Sequence, residues 1–143
     1  MTTFIDTSAI YALLDADDDR HQAANETFAF LVNGETLLCH DYVLLEATVL
    51  LQRRVGHDAV RDLHDRLLPL LDVRWMDLES HRAAAESLIA AGRKRVSLVD
   101  WASFQLMRQL RIDDAFSFDR DFAAQGFTLI PTPQASDTSA ISR

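Results

Sequence analysis

The chain holds a single cysteine, Cys39, set in the apolar run Leu37-Leu38-Cys39. One thiol cannot close an internal disulfide, and the five histidines are scattered without the spacing of a zinc site. Cys39 therefore reads as an inert core thiol, and the lack of disulfides suits a reducing cytoplasm. Long apolar runs are also missing, so no membrane span is expected. The first residues reach Asp6 without a basic stretch, so no secretory signal is expected either. Positive charge is scarce: 14 Lys and Arg against 22 Asp and Glu give a formal net charge of -8. On charge alone this disfavours a nucleic-acid partner, because phosphate binding usually shows as a basic surplus. The objection weakens where acids surround a divalent cation, which reverses the local field. No repeat and no Gly/Ser linker divides the 143 residues, and 48 % of them are apolar, enough for the core of one domain.

The segments between polar turns alternate in character. Short strands are expected at Thr3–Ile5, Thr36–Cys39, Val73–Met76, Ala115–Phe118 and Phe127–Ile130. Helices are expected from about Ala9 with Thr7 or Ser8 as cap, then over His21–Val32, and over Tyr42–Arg54 capped by Asp41. Further helices are expected over His57–Leu68, Glu79–Ala91, and from Ser97 to about Leu110. Short apolar strands alternating with helices predict an α/β sandwich around a parallel sheet. From Thr132 onward the Pro, Thr, Ser and Ala content predicts a flexible tail, residues 132–143, behind a domain of residues 1–131.

Four acids sit in apolar surroundings. Asp6 follows Thr-Phe-Ile, Glu46 lies within Val43–Leu51, Asp100 within Leu98–Ala102, and Asp119 follows Ala115–Phe118. An ionised carboxylate withdrawn from water needs a cation, strong donors or a metal. Asp6 and Asp119 fall where predicted strands end, the edge at which parallel α/β sheets bind ligands. Glu46 and Asp100 lie in early turns of helices that can reach that edge. An all-oxygen set favours magnesium or manganese over zinc, and such a cluster supports phosphodiester cleavage. Each acid also admits a structural reading. Ser97–Asp100 fits a capping box, Asp6 an Asx-turn, Asp119 a loop start, and Glu46 a partner for Arg53 or Arg54.

The motifs around these acids resemble the PIN-domain family. Phe4-Ile5-Asp6-Thr7-Ser8 is similar to its opening motif, and Leu44–Thr48 with Leu50–Gly56 to its second acidic motif. Ser97–Asp100 is similar to the third, and Phe116–Phe122 with Gly126-Phe127 to the fourth. The ordered match runs from Phe4 to Ile130. It implies a PIN-like α/β/α sandwich with a central, mostly parallel sheet of about five short strands. Short chains of this pattern resemble VapC toxins of VapBC pairs, which implies magnesium-dependent RNA cleavage, a homodimer and a small VapB-like antitoxin. The resemblance makes Asp6, Glu46, Asp100 and Asp119 the acidic quartet, with Asp6 and Asp100 as direct ligands of Mg²⁺ or Mn²⁺. Ser8 and Ser117 would support the acids. Asp121 ranks behind Asp119 as the fourth acid, because Asp121-Phe122 reads as a turn that buries the Phe.

Arg93-Lys94-Arg95 is the concentrated basic run and reads either as an RNA-phosphate contact or as a solvated loop. An aspartate-nucleophile phosphatase would need a second Asp two residues after Asp6, where this chain has Ser8. An RNA-processing nuclease without a toxin role, and a non-catalytic metal- or RNA-binding module, remain the alternative readings.

Overall fold

A computed structural model describes residues 1–135 of the chain. Strands β1 (Thr2–Ile5), β2 (Thr36–His40), β3 (Leu71–Arg74), β4 (Asp114–Phe116) and β5 (Thr128–Ile130) form one five-stranded sheet in the order β3-β2-β1-β4-β5. Every pairing is parallel, so the sheet is wholly rather than mostly parallel. Helices α1 (Thr7–Leu14), α2 (His21–Leu31), α3 (Asp41–Arg54), α4 (His57–Asp62), α5 (Leu78–Ala91), α6 (Leu98–Leu110) and the single turn α7 (Asp121–Ala124) connect and flank the strands. Parallel strands require such crossovers, and helices cover the sheet. Phe4, Ile5, Leu37, Leu38, Ala115 and Phe116 are buried, and Phe104 and Phe122 pack edge to face at 5.0 Å beside them.

The expected boundaries shift where tertiary partners compete with local signals. The first helix takes Asp6, not Thr7 or Ser8, as its N-cap. The cap of α3 is His40, because the Asp41 carboxylate instead accepts the backbone N–H of Met76 at 2.8 Å. The helix expected over His57–Leu68 is regular only to Asp62, then loosens into a π turn (Leu63–Leu67) and a short 3₁₀ turn (Leu68–Leu70) around Pro69. The third strand begins two residues early, at Leu71, in register with Leu37. Of the expected tail, Thr132–Ala135 are described and lie outside helix and strand; residues 136–143 lie outside the described residues.

His40 ties the layers together. Its Nδ1 accepts the backbone N–H of Val43 at 3.3 Å, so the ring proton sits on Nε2 and is donated to Ser103 Oγ at 2.8 Å. Ser103 Oγ in turn donates to the Val99 carbonyl at 2.8 Å. The chain of bonds pins the end of β2 and the start of α3 to the first turns of α6. Burial pushes the imidazole down to about 4, against a smaller opposing pull from Asp41, so the ring is neutral near pH 7. Cys39 beside it is buried, and burial pushes its thiol up to about 12, as an inert core thiol requires.

Ser103→Ala strands the buried Nε2–H and should cost about 1–3 kcal/mol, read as a lower urea midpoint with unchanged slope. A midpoint equal to wild type would show that the bond contributes nothing.

Candidate active site

The parallel register decides what meets at the carboxyl edge. Ile5 pairs with Phe116, which sets Asp6 beside Ser117 one residue further on. The Asp6 N–H continues the ladder to the Phe116 carbonyl at 3.0 Å, and Ser117 N–H continues it to Ile130 at 3.2 Å. Asp6 is only 4 % exposed. Its Oδ2 accepts the hydroxyls of Ser8 at 2.9 Å and Ser117 at 3.0 Å, together with the Ser8 amide at 3.4 Å. Each hydroxyl carries one proton, so the 3.2 Å approach of Ser8 Oγ to Ser117 Oγ is a consequence of sharing Asp6 and not a further bond. The hydroxyl oxygens accept in return: Phe118 N–H donates to Ser8 Oγ at 2.9 Å and Asp119 N–H to Ser117 Oγ at 3.0 Å. The two serines thereby lash the loop after β4 to the end of β1. Oδ1 of Asp6 takes no part in these bonds.

Asp100 arrives from the first turn of α6. The capping box is formed in full, with Asp100 N–H on Ser97 Oγ at 3.2 Å and Ser97 N–H on Asp100 Oδ2 at 2.9 Å. The cap uses one carboxylate oxygen and fixes the direction of the other, so the structural and functional readings of Asp100 are compatible. Asp119 Oδ1 accepts the Asp121 N–H at 2.9 Å, an Asx-turn that folds the loop into α7. Asp100, Asp119 and Asp121 thereby offer one oxygen each within 4.8 Å of one another. Phe122 is buried as expected, yet the same turn also brings Asp121 into the cluster. The signal for this was the Asp119–Asp121 spacing across an Asx-turn. Glu46, half-buried in α3, stands outside the three-acid set but adds to the electrostatic load on Asp100.

Burial raises all three central acids to about 6. For Asp6 the Asp119 charge adds to it, partly offset by the Ser8 and Ser117 bonds. For Asp100 the charges of Asp6 and Glu46 add, against the Ser97 amide. For Asp119 the neighbours are Asp100 and Asp121, against the Asp121 amide. The ion pairs among the described residues, Arg61–Asp58 and Arg74–Asp72, involve none of these acids. The donor set fits a hard divalent cation. Bonds of about 2.0–2.1 Å to Mg²⁺ place ligand oxygens roughly 3–4 Å apart, so a small contraction of the three-acid set would suffice. Arg93, Lys94 and Arg95 are exposed in the loop before α6, which begins where α5 stops at the left-handed Gly92 (φ 62°).

A five-stranded parallel sheet with acids gathered at its carboxyl edge is the arrangement of a PIN domain, and the chain belongs to that family, matching it over residues 3–127. Within it, the chain is 36 % identical over 125 residues to the 23S rRNA-specific endonuclease VapC20 of Mycobacterium tuberculosis, covering 87 % of this chain and 94 % of the relative. The crystal structure of VapC20, described as a sarcin-ricin loop cleaving toxin, superposes with a TM-score of 0.79 at 34 % identity over 90 % of this chain and 97 % of that one. VapBC2 from Rickettsia felis, bound to a promoter DNA fragment, shares the fold at 13 % identity and a TM-score of 0.66, covering 90 % of this chain and 97 % of that one. FitAcB from Neisseria gonorrhoeae does so at 14 % and 0.63, covering 90 % and 96 %.

The raised carboxylates fix the sign of the pH response. Their folded pKa of about 6 lies above the unfolded value of 3.8, so the folded state binds more protons between pH 6 and 4. They therefore destabilise the metal-free protein at pH 7, and that cost is relieved as pH falls through 6. His40 works oppositely, losing stability as pH falls from 6.5 toward 4. In EDTA at pH 7, Asp100→Asn should raise stability by roughly 1–3 kcal/mol, and Mg²⁺ should raise the Tm of wild type but much less that of the variant. A variant less stable than wild type in EDTA would contradict the electrostatic account.

Proposed function

We propose that this chain is a divalent-metal-dependent endoribonuclease and the toxin of a type II toxin–antitoxin pair. The observation that carries the reading is the buried, unpaired acid cluster at the carboxyl edge, in a chain 36 % identical to an rRNA endonuclease toxin along 94 % of that relative. The nuclease unit is assigned to residues 1–131. Asp6, Glu46, Asp100 and Asp119 form the catalytic quartet. Asp6 and Asp100 hold Mg²⁺ or Mn²⁺, with Asp119 and Asp121 close enough to share the task. The bound cation would polarise the scissile phosphate and activate water for attack. Ser8 and Ser117 hold Asp6 in one rotamer, so its Oδ1 stays turned to the site. Glu46, left outside the three-acid set, takes the proton released by the attacking water.

The substrate class is structured RNA, with ribosomal RNA favoured by the VapC20 likeness. The exposed Arg93, Lys94 and Arg95 contact phosphates and add affinity without choosing the cleavage site. A small VapB-like antitoxin supplies a basic side chain to the acids, since a guanidinium can pair with two of them. No helix among the described residues is long and apolar enough to cross a membrane, and the assigned compartment is the cytoplasm. A homodimer is favoured by Leu45 and Val49 on α3, Leu78 and Ile89 on α5, and Trp75, all exposed large apolar side chains.

Two outcomes test this reading. Antitoxin-free protein should cleave structured RNA with Mg²⁺ or Mn²⁺ and stop in EDTA, while Asp6→Asn and Asp100→Asn should each lower the rate at least ~10²-fold without unfolding. Undiminished cleavage in excess EDTA would refute the metal mechanism. Light scattering at micromolar concentration should give twice the chain mass, and Leu78→Glu with Ile89→Glu should return it to monomer. A monomeric wild type would remove the dimer from the account.

A further inference from the structure

Next to the acids, a groove of about 620 Å³ runs from Ser117 along the β4–α7 loop, between the turn before α2 and the segment after β5. It is continuous with the catalytic edge, because Ser117 Oγ donates to Asp6. Two guanidiniums line it. Arg20 lies over the Phe118 ring, 5.4 Å from its centroid. Arg120 has its Nε shut off from solvent without a hydrogen-bond partner, while its Nη2 reaches only the Gln134 carbonyl at 3.4 Å. Among the described residues neither arginine pairs with a carboxylate. A buried N–H of a charged group without an acceptor is costly, and the missing acceptor here is anionic oxygen. Asp18 does not fill that role, since its carboxylate is turned onto the Arg20 backbone N–H at 2.8 Å.

We propose that Arg20 and Arg120 hold an RNA phosphate adjacent to the scissile one, so that the groove carries the strand away from the acid cluster. The inference rests on the nuclease reading and adds to it a substrate path separate from the Arg93–Arg95 loop. Guanidinium forks match phosphate oxygens in pairs. Phe118 backs one fork and presents an aromatic edge to the neighbouring nucleotide. Asp19 and Glu26, exposed in the same lining, repel further phosphates and confine the groove to a short stretch of strand.

The test titrates a fluorescent single-stranded RNA into Asp100→Asn protein, which spares the substrate, with and without Arg20→Ala and Arg120→Ala, across a salt series. The double substitution should lower the log–log salt slope by up to ~1.4, about 0.7 per lost phosphate contact, while Arg20→Lys with Arg120→Lys keeps most of it. An unchanged slope, alongside a wild-type chain that cleaves RNA, overturns the groove and leaves the nuclease reading standing. A wild-type chain that neither binds nor cleaves RNA overturns both. A second measurement leaves the groove unaltered and so does not depend on the arginine variants folding. Photo-crosslinking of thiouridine RNA to the Asp100→Asn protein should label Phe118 or its neighbours in residues 117–120. Label found only on other surfaces contradicts the proposal.

Discussion

The carboxyl edge of this sheet is built around like charges held close and out of water. Burial lifts Asp6, Asp100 and Asp119 to about 6, and each also carries the field of another acid. At pH 7 the cluster is largely ionised and lacks a cationic side chain among the ion pairs of the described residues. Such a site is unstable in isolation and complete only with a divalent cation, whose charge reverses the sign of every one of these interactions.

The rest of the fold keeps the acids from escaping that conflict. Asp6 cannot swing to solvent, because Ser8 and Ser117 both donate to its Oδ2. Asp100 cannot, because the Ser97 amide holds its Oδ2 in the capping box. The Asx-turn at Asp119 fixes Asp121 beside it. Beneath them, the His40–Ser103 bond joins the end of β2 to the helix that carries Asp100. Each restraint uses one oxygen of a carboxylate or a neutral group, and leaves the opposite oxygen for a ligand.

Much of this was legible in the residues. Short β-rich runs alternating with amphipathic segments specify a parallel sheet, and carboxylates directly after apolar strands point to its carboxyl edge. What sequence could not resolve was competition between local signals and distant partners. Asp41 looks like the cap of α3, but the backbone of Met76, 35 residues away, claims its carboxylate. His40, scattered among five histidines with no motif, is a buried strut because Ser103 lies 63 residues further on. Asp121 ranked behind Asp119 because a chain-turning role seemed sufficient, whereas the turn itself delivers its carboxylate to the cluster. Arg20 and Arg120 carry no local pattern at all, and only the folded chain brings them to one groove.

The central claim is that acids poised near pH 6 are neutralised by one hard cation, and proton counting tests it most directly. Calorimetric titration of Mn²⁺ into the protein in buffers of different ionisation enthalpy gives the number of protons released per ion bound. At pH 6, where the aspartates are partly protonated, binding should release about one proton or more; at pH 8 it should release almost none. A proton count that does not change with pH, or no Mn²⁺ binding at millimolar concentration, would contradict the account.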